Sequence, residues 1–249
     1  MARVDYDQLA ASYDRGRGMP LEGLEGWRAA LAAYLPPASG RPVLDLGAGT
    51  GLFAAAIATW FDARVVGVEP SQEMRRQARQ AHTHRRVAYV GGEAERLPLR
   101  DNSCAAAWLS TVIHHIGDLA GCARELRRVL EPGGPVLIRS SFPGRHAGIS
   151  LFRFFPGARQ IAETFPTVEA TVAVFAAAGL GFQTLQQVPQ VSAPSLRAAV
   201  ERVRLRADST LKPLPDSEFT EGLAALERAG VAEKIPTPVI DYLDLLVLR

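Results

Sequence analysis

A glycine-rich segment at residues 45–51 constrains the fold of this chain more than any other feature. It follows a short apolar run, Val43–Leu46, and precedes an apolar stretch, Leu52–Phe61, which predicts a strand, a tight turn and a helix. In an open parallel sheet, such a turn lies at the carboxyl end of a strand, where ligands bind. Glycines let the backbone approach a ligand closely, and the first N–H groups of the helix suit an anionic group such as a carboxylate.

Strand and helix patterns alternate along the chain on both sides of this turn, which indicates βαβ units and a parallel sheet. The predicted strands are Val43–Leu46, Val65–Val68, Val87–Val90, Cys104–Leu109, Val136–Ile138, Phe182–Val188 and Tyr242–Leu248. The predicted helices are Leu52–Phe61, Pro70–Gln80, Leu119–Leu130, Val168–Ala178, Ser195–Arg206 and Phe219–Ala229. The fold class is therefore α/β: a Rossmann-like, doubly wound, mostly parallel seven-stranded sheet with an antiparallel C-terminal hairpin and a small helical cap.

Length and composition fit one globular domain. The 249 residues carry a formal net charge of +2, and 47% of them are hydrophobic, which allows a sizeable core. We expect a single domain with N-terminal lid helices in residues 1–40, a cofactor-binding core in 41–140 and a partly cap-forming substrate region in 141–210. A C-terminal helix and an edge strand are expected in residues 211–249.

The sequence also predicts where the protein works. Cys104 and Cys122 cannot form a disulfide framework, which favours free thiols in a reducing compartment. Residues 1–14 lack the apolar core of a signal peptide, and no apolar run approaches the roughly 20 residues that cross a bilayer. We expect a cytoplasmic protein that does not insert into membranes, and the sequence leaves a homodimer open.

The chemistry of the glycine turn favours a cationic nucleoside over a phosphate. Leu52 stands where a dinucleotide-binding turn has its third glycine, and the turn has no lysine of a P-loop. Asp45 would repel a pyrophosphate but suits S-adenosylmethionine, which carries a sulfonium and an ammonium group. Glu69 ends the next strand about 20 residues after the turn, where an acid accepts hydrogen bonds from ribose hydroxyls.

Seven segments, spread between residues 6 and 139, together carry a resemblance to a known family. They are Tyr6–Ala10, Ser12–Asp14, Val43–Gly51, Val66–Ser71, Gly92–Leu99, Leu109–Ile116 and Arg128–Gly134. In these segments the chain resembles the class I S-adenosylmethionine-dependent methyltransferases, within the UbiE-like group that acts on small molecules. The resemblance departs from the family pattern at Glu93, where the family usually has Asp, and at Ala105–Ala107, where it usually has an Asp.

The resemblance implies a set of S-adenosylmethionine contacts. Gly47, Ala48 and Gly49 would line the methionine part, with Tyr13 closing over it from the N-terminal segment. Glu69 would hold the ribose, and Ser110 would lie beside the sulfonium. The adenine contacts would come from Pro70, Met74, Glu93 and Ala94.

Two adjacent histidines follow the predicted fourth strand, at the face where the methyl group should point. Histidine can remove a proton from an oxygen or nitrogen before it attacks the methyl donor. Consecutive residues point in different directions, so we expect only one of His114 and His115 to face the acceptor, and the resemblance favours His115. The pair has no partner four residues further on, so no metal site is predicted.

Residues 151–155, Leu-Phe-Arg-Phe-Phe, predict either an apolar acceptor pocket or a cap helix that packs on its own domain. In the first case Arg153 or Arg159 could bind an acidic group of the acceptor.

A run of basic residues elsewhere in the chain lacks interleaved aromatic residues, which favours a solvated helix face over a nucleic-acid surface. It consists of Arg75, Arg76, Arg79, Arg85 and Arg86.

The leading functional hypothesis is methyl transfer to O, N or C of a small molecule, with a secondary metabolite favoured. A second hypothesis is a methyltransferase-like protein that cyclises a polyketide-type substrate and keeps the cofactor for structure only. A nucleoside-binding regulator is a third, and the polar residues Ser110, His114 and His115 at the expected methyl position argue against it. A methyltransferase that acts on RNA or protein is a fourth, and the RNA case is disfavoured by the lack of a basic and aromatic surface.

Overall fold

The computed structural model describes Gly16, Met19, and residues 21–35 and 40–249 of the chain. Most of the predicted lid segment, including Tyr13, lies outside the described residues. Its described part contains helix α1, Leu21–Ala32, whose Trp27 is completely buried.

Seven strands of the described residues form one sheet in the order β3-β2-β1-β4-β5-β7-β6. Strands β1 to β5 are parallel, and β7 lies antiparallel between β5 and β6. The bounds are β1 Val43–Leu46, β2 Val65–Val68, β3 Val87–Val90, β4 Ala106–Ser110, β5 Val136–Ser140, β6 Phe182–Ala193 and β7 Val239–Leu248. This arrangement confirms the predicted fold class.

Seven further α-helices follow α1 in the described part of the chain. They are α2 Leu52–Phe61, α3 Gln72–Ala81, α4 Leu119–Val129, α5 Pro156–Ala162, α6 Val168–Ala177, α7 Leu196–Arg204 and α8 Asp216–Ala232. Short polar side chains begin several of them, because they accept a backbone N–H that the first turn leaves unpaired. Ser71 accepts from the N–H of Met74 at 3.0 Å, and Asp118 accepts from that of Gly121 at 2.8 Å.

The central strands of the sheet are buried on both faces, and their residues alternate between two hydrophobic cores. Leu44 packs in one core with Leu126 of α4 and Phe175 of α6. Trp108 of β4 packs in the other core, where its ring centroid lies 5.8 Å from that of Trp27 and 5.0 Å from that of Phe53. The second core fixes α1 and α2 beside the carboxyl end of β1.

Some predicted boundaries were wrong, and polar residues explain most of the errors. Strand β6 continues to Ala193 and β7 begins at Val239, because both strands alternate polar and apolar residues where a continuous apolar run was expected. Strand β4 begins after Cys104, which makes an isolated bridge. Helix α3 begins at Gln72, after its cap Ser71, and not at Pro70. The antiparallel pair β6 and β7 is joined through α7 and α8 and not by a tight turn.

We call residues 146–162 and 196–232 the cap. They contain two short 3₁₀ turns, His146–Gly148 and Ser150–Arg153, followed by α5, α7 and α8. Their own small core includes the fully buried Phe155. None of the helices in the described ranges is long and apolar enough to cross a membrane.

Candidate functional site

A cavity of about 250 Å³ lies between the carboxyl ends of β1, β4 and β5 and the cap. Its strand side includes Asp45, Gly47, Ala48, Gly49, Ser110, Thr111, His114 and Arg139. Its cap side includes Leu151, Phe152, Phe154, Leu196 and Val203, with Phe165 beside them. The structure therefore brings six of the predicted site residues to one cavity: Asp45, Gly47, Ala48, Gly49, Ser110 and His114.

The glycine turn needs glycine for two physical reasons. Gly47 has a φ of +71°, and a Cβ atom there would lie 2.5 Å from the Cγ2 of Val112. Gly49 also has a positive φ, of +54°, but a Cβ atom there would meet nothing within 4 Å. Gly47 therefore brings the turn against the segment after β4, while Gly49 leaves open space for a ligand.

Asp45 places a carboxyl group on the wall of the cavity, with only 1% of the residue exposed. Burial, and then the negative charge of Glu69, raise its pKa from 3.8 to about 7. Its Oδ2 atom is buried and accepts no hydrogen bond from the part of the chain that the structure describes. Such a carboxyl group would be stabilised in its ionised form by a nearby cation.

Glu69 ends β2, and its carboxylate ties the glycine turn to the start of α3. Its Oε2 accepts the backbone N–H of Gly49 at 3.0 Å, and its Oε1 accepts that of Ser71 at 2.9 Å. Burial raises the pKa of Glu69, and these two backbone N–H groups partly offset the increase. A carboxylate oxygen can accept more than one hydrogen bond, so a sugar hydroxyl could still bind.

The four residues predicted to contact adenine do not line the cavity. Pro70 and Glu93 are exposed, Ala94 is half-buried, and Met74 is 1% exposed. Their roles remain predictions that rest on the family resemblance.

The structure brings His114, and not the favoured His115, to the cavity. His114 lines the cavity, its ring stacks on that of Phe165 with centroids 4.1 Å apart, and its Nε2 lies 3.3 Å from the Oγ of Ser209 in the cap. His115 is exposed and does not line the cavity. His114 is therefore better placed than His115 to contact an acceptor.

Sequence reasoning missed Arg139, which places a buried guanidinium on the cavity wall. Its Nη1 donates to the Oγ of Ser110 at 3.1 Å, and its Nη2 donates to the Oε1 of Gln190 at 2.6 Å. Gln190 Oε1 also accepts from the indole N–H of Trp27 at 3.0 Å. A charged residue directly after the apolar run Val136–Ile138, at the carboxyl end of a predicted central strand, was the signal that could have identified it.

The expectation that Arg153 or Arg159 binds an acidic group in the pocket was wrong. Both side chains are exposed and neither lines the cavity. Arg159 lies 3.6 Å from Glu163, one helical turn further on, and the Arg153 guanidinium lies 5.8 Å from the ring centroid of Phe154. The neighbouring phenylalanines turn inward, which leaves the arginines on the outer face of the cap.

The comparisons with known proteins agree with this geometry. Residues 44–138 match the family model described as a methyltransferase domain. The demethylmenaquinone methyltransferase of Roseiflexus castenholzii is 35% identical over 133 residues, which are 53% of this chain and 56% of that protein. The ubiquinone/menaquinone biosynthesis C-methyltransferase UbiE of Rubrivivax gelatinosus is also 35% identical, over 53% of this chain and 52% of that protein. The chain thus aligns with little more than half the length of these relatives, and the alignments leave nearly half of the chain unmatched.

Among solved structures, the fold is similar over nearly its whole length to the cyclase SpnF. The TM-score is 0.66 at 19% sequence identity, and the match covers 98% of this chain and 93% of that one. At this identity the likeness describes the fold alone.

Proposed function

We propose that the chain is a cytoplasmic S-adenosylmethionine-dependent methyltransferase that methylates O, N or C of a small molecule. The observation that carries this proposal is the buried carboxyl of Asp45, whose pKa is raised to about 7 beside an open glycine turn. A cation that binds there would recover the free energy lost when this carboxyl is ionised away from water. The methyltransferase family match over residues 44–138 supports the same assignment.

The residues of the turn fit this cofactor on its charge and its shape. Asp45 would hold the ammonium group, the first N–H groups of α2 would hold the carboxylate, and Glu69 would bind the ribose. The bound cofactor supplies an activated methyl group on a sulfonium. The protein's main contribution is to place the acceptor in line with that group, and such positioning can supply roughly 7–11 kcal/mol of rate enhancement.

His114 is the group that we assign to the acceptor's proton. Its imidazole lies on the cavity wall, and Phe165 and Ser209 fix its ring and one of its nitrogens. A neutral imidazole could remove the proton from an acceptor hydroxyl or amine as that atom attacks the methyl group. Ser110, on the same wall, would orient the reacting group.

Calorimetry with S-adenosylmethionine, S-adenosylhomocysteine, NAD and ATP tests the cofactor assignment. We expect the first two to bind, and Glu69→Gln to weaken their binding by about ten-fold, the size of one lost charge-assisted hydrogen bond. Glu73→Gln removes a half-buried carboxylate of α3 that pairs with Arg76, and this variant should bind normally. Binding of NAD or ATP, with no binding of S-adenosylmethionine, would contradict the proposal.

The similarity of the fold to a cyclase keeps cyclisation of a polyketide-type substrate as the second candidate function. The two functions differ in the fate of the cofactor. A methyltransferase releases one S-adenosylhomocysteine per product, whereas a cyclase would form product while the amounts of S-adenosylmethionine and S-adenosylhomocysteine stay constant.

Secondary-metabolite acceptors and the homodimer remain predictions, and size-exclusion chromatography with light scattering tests the homodimer.

A further inference from the structure

Arg139 provides a fixed positive charge at the carboxyl end of β5, within the cavity. The residue is 7% exposed, and its guanidinium carbon lies 5.0 Å from the ring centroid of Trp27 and 5.5 Å from that of Phe53. Aromatic rings in this position attract the cation and restrict its movement. A charge held on a strand in this way loses little conformational freedom when a ligand binds.

Hydrogen bonds to Ser110 and Gln190 hold the guanidinium on the acceptor side of the proposed donor site. Ser110 is the register partner of Arg139 in the sheet and accepts from its Nη1, and Gln190 of β6 accepts from its Nη2. Strand β1, which leads into the glycine turn, lies on the other side of β4. The positive charge therefore lies one strand beyond Ser110, on the acceptor side of the proposed donor site.

The wall also carries Asp45, Arg202, Asp208 and Asp241, and the last two limit what Arg139 could bind. Asp241 accepts hydrogen bonds from the N–H and hydroxyl of Ser150 and from the hydroxyl of Ser192. Asp208 accepts from the N–H and hydroxyl of Thr210. These donors stabilise the two carboxylates in place, and the carboxylates would repel a dianion such as a phosphate ester. A monoanion next to Arg139 is the better electrostatic match.

The cap side of the cavity is complementary to an apolar group. Phe152, Phe154 and Phe165 lie there with Leu151, Leu196 and Val203. Aromatic and aliphatic side chains of this kind bind the body of a ligand, while a few polar groups fix its orientation.

We propose that the acceptor is an amphipathic carboxylic acid, with its carboxylate bound by Arg139 and its apolar body packed against the phenylalanine side chains of the cap. This inference rests on the proposed methyltransferase function, because it assigns the acceptor part of the same cavity. The carboxylate serves as an anchor and is not the methylated group. Arg139 is thus a specificity-determining residue that recognises charge, and His114 acts separately on the atom that receives the methyl group.

A pair of probes that differ only in charge tests this proposal: 2-naphthoate and the neutral 2-naphthamide. Calorimetry on the protein saturated with S-adenosylhomocysteine should show that the naphthoate binds at least ten-fold more tightly, as expected for a charge-assisted hydrogen bond in a buried site. Arg139→Gln should reduce this preference to within about two-fold. Arg153→Gln, which removes an exposed arginine of the cap outside the cavity, should leave it unchanged.

Equal binding of the two probes by the wild-type protein would overturn the proposal without any variant. The proposal would also be overturned if Arg139→Gln kept the preference for naphthoate over naphthamide. The same holds if Arg202→Gln lost that preference instead, since Arg202 is another cation on the wall. If Arg139→Gln does not fold, Arg139→Lys keeps the charge and should retain a reduced preference for naphthoate. Failure of S-adenosylhomocysteine to bind would refute the methyltransferase function, whereas cofactor binding with no charge preference would refute only the acceptor class.

Discussion

The two sides of the cavity are built in different ways. The proposed donor side depends on backbone: a glycine turn, the N–H groups of Gly49 and Ser71, and the carboxylate of Glu69 that joins them. The proposed acceptor side depends on side chains, such as Arg139 and Gln190, that come from strands distant in the sequence. A site made of backbone requires particular residues at fixed spacing, and it can be recognised in a sequence. A site made of side chains from separate elements leaves no such pattern.

The largest effect that would test this contrast comes from Gly47→Ala. The new Cβ would collide with Val112, and the positive φ costs a further 1–2 kcal/mol, roughly, of stability. We expect affinity for S-adenosylhomocysteine, measured by calorimetry, to fall by more than 100-fold, because the turn must move. Gly133→Ala is the matched control: its φ of +75° carries the same backbone cost, but a Cβ there meets nothing within 4 Å.

Normal cofactor binding by Gly47→Ala would show that the turn is not the donor site. An equal loss in Gly133→Ala would mean that general destabilisation, and not the shape of the turn, controls binding.

On the acceptor side, His114→Ala should slow methyl transfer by about 100-fold, the lower range for loss of a general base. Affinity for S-adenosylhomocysteine should stay within about two-fold, because the donor side is unchanged. His115→Ala is the adjacent control and should change the rate by less than about three-fold, since His115 is exposed outside the cavity. The rate is measured as S-adenosylhomocysteine released with a saturating carboxylic-acid acceptor. A larger loss of rate in His115→Ala than in His114→Ala would instead support His115 as the residue that acts on the acceptor.

The contrast also explains what the sequence could predict. Short apolar strands predicted the parallel core, and the turn at 45–51 with Glu69 predicted a glycine turn that the structure places on the cavity wall, because local patterns determine both. The extents of β6 and β7 were underestimated, since residues such as Gln190 and Asp241 interrupt the apolar pattern on which strand prediction relies. The choice between His114 and His115 depends on a 3₁₀ turn whose geometry sequence spacing does not define.

A smaller effect concerns the pH dependence of the donor side. Ionised Asp45 would favour a cationic ligand, and its pKa is raised to about 7. Affinity for S-adenosylmethionine should therefore rise by about ten-fold between pH 6 and pH 8, in proportion to the ionised fraction. Asp45→Asn should bind S-adenosylmethionine weakly at both pH 6 and pH 8. Asp62→Asn changes a residue in an exposed ion pair with Arg86, and this variant should keep the ten-fold rise in affinity.

The same raised pKa changes the stability of the ligand-free protein in the opposite direction. Between pH 4 and pH 7 the folded protein holds the Asp45 proton more tightly than the unfolded chain, whose Asp has its ordinary pKa of 3.8. The free energy of unfolding should then fall as pH rises, by at most about 1.4 kcal/mol per pH unit. Urea unfolding at several pH values measures this slope, and a slope that is the same in Asp45→Asn would contradict the assignment.

The smallest expected effect concerns Thr111, a cavity residue between the two sides. Thr111 follows β4 with a φ of +52°, a strained conformation for a β-branched residue, and its N–H donates to the Arg139 carbonyl at 2.7 Å. Thr111→Gly should stabilise the protein by about 1 kcal/mol in urea unfolding. Asn102→Gly, also at a φ of +52° but away from the cavity, should change stability by less than about 0.5 kcal/mol because asparagine tolerates this region. Equal effects at both positions would remove the evidence for strain at the site.

The position of β7 between β5 and β6 has a consequence for how the molecule assembles. Strand β6 is synthesised first, yet it has no neighbour in the sheet until β7 emerges from the ribosome more than 40 residues later. The half that carries the glycine turn can therefore fold while strand β6, which carries Gln190, still has an open edge. During translation that wall has an unpaired strand edge, the kind of surface that associates with other chains, so this stage is when the nascent protein is most prone to aggregate.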